Sequence, residues 1–128
     1  MAIDTGGRPL SPHLQVYRLP LAAILSITHR ITGVGLAMGT VGLICWLMAL
    51  ASGEQSFAAV QSFYASWFGK FLLFGYSVAL LYHLCTGIRH LFWDAGMNLG
   101  KDEVERSDKM VIGGVVVLTA VLWLVALI

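Results

Sequence analysis

The stretch Ile31-Thr-Gly-Val-Gly-Leu-Ala-Met-Gly-Thr-Val-Gly-Leu-Ile-Cys-Trp-Leu-Met-Ala-Leu-Ala51 runs for 21 residues without a charge. About 20 helical residues, rising 1.5 Å each, cross the ~30 Å hydrocarbon core of a bilayer. The run therefore predicts a transmembrane helix. Toward the N-terminus, Leu21 to Ile27 is also apolar and Pro20 suits a first helical turn, so Ser26, His29 and Arg30 fall on the early turns of this span. Toward the C-terminus, Ser52-Gly53-Glu54 ends it.

Two further runs follow. Residues 71–88 are uncharged for 18 positions between Lys70 and Arg89, with Trp67, Phe68, Phe92 and Trp93 placed as interfacial aromatics. Residues 110–128 supply a third apolar run, and the dense charge cluster Lys101-Asp-Glu-Val-Glu-Arg106 in the connection 94–109 is expected as a solvated loop. The chain is thus predicted to be an all-α membrane protein with three transmembrane helices. It forms one membrane-anchor domain over residues 1–128, with an N-terminal segment at 1–20 and spans at roughly 22–51, 67–93 and 109–128.

Composition agrees. The chain is 58% hydrophobic and 12% charged, against about a quarter charged in soluble domains. The net charge of +1 and the lack of a basic patch interleaved with aromatics argue against a nucleic-acid partner. Cys45 and Cys85 lie in apolar runs without C-x-x-C or C-x-x-C-H spacing, so they are expected as buried free thiols. The first 18 residues resemble neither a secretory signal nor an Arg- and Ser-rich transit peptide. This fits a bacterial inner-membrane protein, the alternative being a processed mitochondrial inner-membrane protein.

Arg8, Arg18, Arg30, Arg89, Lys101, Arg106 and Lys109 lie on the side shared by the N-terminus and the second connection, with Lys70 opposite. The positive-inside rule makes that side, and the N-terminus, cytoplasmic. Three spans bury few of their own faces, and Gly35-x-x-x-Gly39 and Gly113-Gly114 are small-residue surfaces suited to close helix contact. A partner membrane subunit in a heteromeric helix bundle is expected.

His83 stands eleven residues before Asp94, ~16 Å along the helix from the connection. An ionisable side chain at that depth is costly and marks a functional site with a partner to be named. Its other reading is a neutral imidazole hydrogen-bonded to a neighbouring helix. Gly87 and His90 follow at i+4 and i+7 on the same face. The missing side chain at Gly87 leaves room for a porphyrin, or serves helix packing instead.

If His83 ligates haem iron, its trans ligand is not evident. His90 lies ~10 Å further along the same face, His29 is expected too shallow beside Arg30, and His13 is extramembrane. A second histidine would come from another subunit, with a methionine of this chain left open. Ser26, His29 and Arg30 form a polar stripe at i, i+3 and i+4. A hydroxyl and a guanidinium suit a carbonyl ligand gaining negative charge, such as a quinone taking up an electron. The plainer reading is an arginine snorkelling to lipid phosphates beside a capping serine. With spans one and two antiparallel, Arg30, His29, Arg89 and His90 share one depth, where they could pair with haem propionates.

Three motifs carry a family resemblance: Arg8-Pro-Leu-Ser-Pro-His-Leu-Gln-Val-Tyr-Arg18, Ser26-Ile-Thr-His-Arg-Ile-Thr-Gly33 and His83-Leu-Cys-Thr-Gly-Ile-Arg-His-Leu-Phe-Trp-Asp94. In this order and spacing, the chain closely resembles the cytochrome b anchor subunit of succinate dehydrogenase, respiratory complex II. The resemblance implies that His83 is the axial ligand of haem b, paired with a histidine of a second membrane anchor subunit. It implies that Ser26 and Arg30 help bind ubiquinone near the cytoplasmic face, with His29 and Arg30 close to the haem propionates. His90, like Arg89 and Asp94, is given a propionate, docking or proton-path role, and Tyr17 and Arg18 are candidate subunit contacts. Succinate oxidation would lie on a flavoprotein subunit, with electrons passing through an iron–sulfur subunit, so the chain would have no succinate-oxidising site. Two other readings stand beside it: a haem-free quinone anchor of the fumarate reductase type, and a small transporter or channel subunit using Arg30, His29 and His83 as a proton path.

Overall fold

The computed structural model describes residues 17–128. Most of the N-terminal segment, with Arg8, His13 and the greater part of the first motif, lies outside the described residues. Four helices follow in order: α1 (Leu21–Ala51), α2 (Glu54–Ala65), α3 (Trp67–Asp94) and α4 (Lys101–Leu127). Three of them, α1, α3 and α4, are long and apolar enough to cross a membrane.

Helix α1 begins behind Pro20, whose fixed φ of −63° leads into the first turn. It stops where Gly53 takes φ +107°, a conformation that an L side chain disfavours. The chain then turns into α2, a helix that the apolar-run reading does not anticipate, because 12 residues are too few to span. Helix α2 lies against the ends of its neighbours. Trp46 Nε1 donates to Gln61 Oε1 at 3.2 Å, and the Tyr64 hydroxyl donates to the Gly42 carbonyl at 3.3 Å. Ser66 caps α3 by accepting from the Gly69 N–H at 3.1 Å. Gly69 must be glycine, since a Cβ there would collide with the backbone of Phe63 and Tyr64.

Helix α3 is the central member, packed against both α1 and α4. Since α1, α3 and α4 alternate in direction, Arg18, Arg30, Arg89, Lys101, Arg106 and Lys109 come to one end of the bundle, and Lys70 stays at the other. On the α3–α4 side, Trp123 Nε1 donates to Ser77 Oγ at 2.9 Å and Phe74 meets Trp123 edge-on at 5.4 Å.

The second connection departs from the expected solvated loop. Helix α4 starts at Lys101, where the Glu103 carboxylate accepts the Gly100 N–H at 2.9 Å and Asp102 and Glu103 complement the helix dipole. Its charged turns share the register of the span: Asp108, Val111, Val115 and Thr119, spaced i, i+3, i+7 and i+11, form one buried stripe. Asp108 therefore faces α3, not water.

The three long helices bury little of themselves; the buried apolar side chains are Leu25, Ala49, Val111 and Val115 among the described residues. The glycine surfaces behave unequally. Gly39 receives the Tyr76 ring and Gly114 the Cys85 sulfur, whereas Gly35 and Gly113 face open space. Of the two free cysteines, Cys85 is half-buried, but Cys45 is exposed on the outer face of α1, contrary to the buried thiol expected. A helix in lipid has no hydrophobic drive to hide a thiol.

Candidate functional site

The site is built where α1 crosses α3 near the cation-rich end. Helix α1 carries Ser26, His29, Arg30 and Thr32, and α3 carries Tyr82, His83, Thr86 and His90. Gly33 permits the close crossing, since a Cβ there would stand 3.1 Å from His83 Cε1. Gly33→Val is expected to force the helices apart, at about 1–3 kcal/mol for overpacking, read as a lowered thermal midpoint of the purified assembly.

The rings of His29 and His83 stack at 3.8 Å between centroids with 12° between planes, and His90 meets His29 edge-on at 5.0 Å. His29 is thus level with His83 and not too shallow to reach it. Sequence distance from Arg30 misjudged its depth because the crossing of the two helices sets which turns are level. The stacked arrangement still does not make the two rings trans ligands, for which the nitrogens must point at each other across a metal. The nearest side-chain atom to Gly87 is His29 Cε1, 3.7 Å from where a Cβ would stand, an ordinary van der Waals distance.

Hydrogen-bond valence fixes the tautomer of the neutral His83 ring. Its Nδ1 lies 3.1 Å from the His29 carbonyl and 3.3 Å from Thr32 Oγ1. Thr32 spends its one hydroxyl proton on the Thr28 and His29 carbonyls, each 2.9 Å away, so toward His83 it accepts. The proton therefore sits on His83 Nδ1 and leaves Nε2 with its lone pair. By the same count, Thr86 donates to the Tyr82 carbonyl at 2.7 Å and accepts from His29 Nδ1 at 2.6 Å. The Tyr82 hydroxyl donates to the Leu25 carbonyl at 2.7 Å. Such bonds between helices contribute about 0.6–2 kcal/mol each in a membrane, and together they pin α3 to α1.

Ser26 is half-buried and Arg30 exposed on the α1 face shared with His29. Arg89 is not with them. It turns toward α4, where its Nη1 donates to Asp108 Oδ1, and its guanidinium lies over the Trp93 ring at 4.5 Å. This corrects the expected grouping of Arg89 with the propionate-facing residues: it is one position from His90, about 100° around the helix. Thr32, Tyr82, Thr86 and Asp108 were not singled out in the sequence. Thr32 and Thr86 stand at i+3 from His29 and His83, a spacing that gave the available signal. A cavity of about 630 Å³ opens at the opposite end, between α1, α2 and α3 beside Trp46 and Tyr64, far from the histidines.

A half-buried histidine whose Nδ1–H is held by a backbone carbonyl and whose Nε2 makes no hydrogen bond among the described residues has the form of a metal-ligand imidazole. Residues 4–122 match the family model described as succinate dehydrogenase/fumarate reductase transmembrane subunit. The chain belongs to that family. It is 50% identical to the succinate dehydrogenase cytochrome b556 subunit of Paracoccus denitrificans, over 96% of this chain and 94% of that protein. It is 38% identical to the subunit of the same name in Rickettsia felis, over 91% and 90%. With the cytochrome b560 subunit of Reclinomonas americana the identity is 37%, over 92% and 85%. As a succinate dehydrogenase-type cytochrome b anchor with three helices able to span, the chain is a multi-pass protein of the bacterial inner membrane.

Proposed function

We propose that this chain holds one side of a haem b, forms one wall of a ubiquinone-reduction site, and docks the flavoprotein and iron–sulfur subunits of a succinate:quinone oxidoreductase. The observation that carries the reading is His83: a histidine in the hydrocarbon part of α3, with Nδ1–H donated to the His29 carbonyl and Nε2 left over. That hydrogen bond orients the ring and raises its basicity as an iron ligand. When bound, haem b would supply a one-electron store. His29 and Arg30, with His90 adjoining His29, would meet the propionates. The N-terminus and the cation-rich end face the cytoplasm, following the positive-inside rule.

Quinone reduction consumes two electrons and two protons. Ser26 and Arg30 act on the quinone carbonyl oxygen, the guanidinium gaining most as negative charge develops there. Electrons arrive from the soluble subunits, and this chain oxidises no succinate.

His83 commits Nδ1 to α1 and its face to the His29 ring, so Nε2 is the atom that would hold a metal. A second haem-ligating histidine would come from the second membrane subunit. Expressed alone in membranes, the chain is expected to show no normal bis-histidine b-type spectrum, and co-expression with the second anchor subunit restores it. A normal spectrum from the chain alone would place both ligands here and overturn the shared site. The stack also suits a purely structural His83 in a haem-free anchor, a reading decided by the His83→Ala spectrum.

A further inference from the structure

We propose that the Arg89–Asp108 ion pair is a positioning device for the histidine face of α3, fixing the rotation of that helix between α1 and α4 and thereby the angle at which His83 and His90 stand. Arg89 retains 4% of its exposure and Asp108 2%. The Trp93 ring covers the guanidinium, whose Nε and Nη2 have no hydrogen-bond partner among the described residues. Among the described residues, its charge is balanced by the Asp108 carboxylate. Losing one member of such a pair leaves an uncompensated buried charge, and the restoring force on the helix is correspondingly steep.

Helix geometry turns that force into a rotational stop. At about 100° per residue, Cys85 and Arg89 (i, i+4) occupy one flank of α3, and Thr86, His90 and His83 the next. The first flank meets α4, with Cys85 Sγ 3.6 Å from where a Cβ on Gly114 would stand and Arg89 on Asp108. The second meets α1, through His29 on Thr86 and the His29–His83 stack. Rotation that released Arg89 from Asp108 would also carry His83 away from the His29 carbonyl. Arg89 thus acts through the helix, as a positioning residue.

The haem arm of the test rests on the proposed haem ligation by His83; a second arm does not. In the full complex, Asp108→Asn, Arg89→Leu and the exchange Arg89→Asp with Asp108→Arg are compared by the electron paramagnetic resonance of the oxidised haem, which reports the mutual angle of the axial imidazoles. In a Cys45→Ser background, copper phenanthroline is used to drive a disulfide between Cys85 and the thiol introduced by Gly114→Cys, scored by mass after alkylation. Each single neutralisation is expected to split or broaden the haem signal and to slow the cross-link several-fold, and the exchange to restore both. An Asp108→Asn complex with native signal and native cross-linking overturns the proposal. So does a haem signal altered by Arg89→Leu but not by Asp108→Asn, which would put Arg89 at the cofactor itself. If the single variants leave no assembled complex, the exchange decides: assembly with native cross-linking supports the device, and failure to assemble overturns it. If the parent complex proves to hold no haem on His83, the haem reading fails and the cross-link alone judges the ion pair.

Discussion

Replacing His83 by alanine is expected to remove essentially all b-type haem absorbance from the assembled complex, while succinate oxidation by artificial electron acceptors at the flavoprotein persists. The ring's structural duties are modest: its Nδ1–H bonds to the His29 carbonyl and Thr32 amount to about 0.6–2 kcal/mol apiece in a membrane. The neighbouring contacts Tyr82–Leu25 and Thr86–His29 remain to hold α3 on α1. Loss of His83, by contrast, removes the imidazole whose Nε2 would hold the iron, and His90 lies a further two turns along the helix. A reduced-minus-oxidised difference spectrum of purified membranes reads the outcome. Unchanged b-type absorbance would assign His83 to structure alone, as in a haem-free anchor.

The second large effect is expected at the quinone. Arg30→Leu should lower quinone reduction on the order of 10²-fold, as removal of a preorganised donor to a developing oxyanion does, with Ser26→Ala the weaker variant because its bond is neutral until charge develops. Succinate oxidation by artificial acceptors is spared in both. Neither Ser26 nor Arg30 makes a side-chain hydrogen bond or ion pair among the described residues, and Arg30 is exposed, so neither substitution removes a polar bond within them. Equal loss of both activities would signal failed assembly and sink the assignment to the quinone.

Much of this was legible in residue order. The uncharged run 31–51 could be nothing but a span, because a helix of that length with no charge has no soluble face to present. His83 was visible for the converse reason, as an ionisable group where such groups are expensive. Helix α2 was invisible to a search for spans, being short and of mixed polarity.

The errors have a common cause. Arg89, Asp108 and His29 were placed by their distance along the chain from charges and run ends, but what each one meets depends on helix rotation and crossing. Asp108 fell within the connection 94–109 expected as a solvated loop, and it is buried because it continues the Val111, Val115, Thr119 stripe one turn past the apolar run. Arg89 shared a depth with Arg30 but not a face. The amino-acid sequence alone determined three spans, the end of the bundle where the cations gather, and the family, since each follows from composition or from residues close in the chain. Tertiary structure alone decided that His29 stacks on His83, that Thr32 and a backbone carbonyl fix its tautomer, and that Arg89 answers to Asp108. Those contacts join residues 19 to 57 positions apart, and only the angle and register at which two helices cross bring such residues within the ~3 Å over which a hydrogen bond acts.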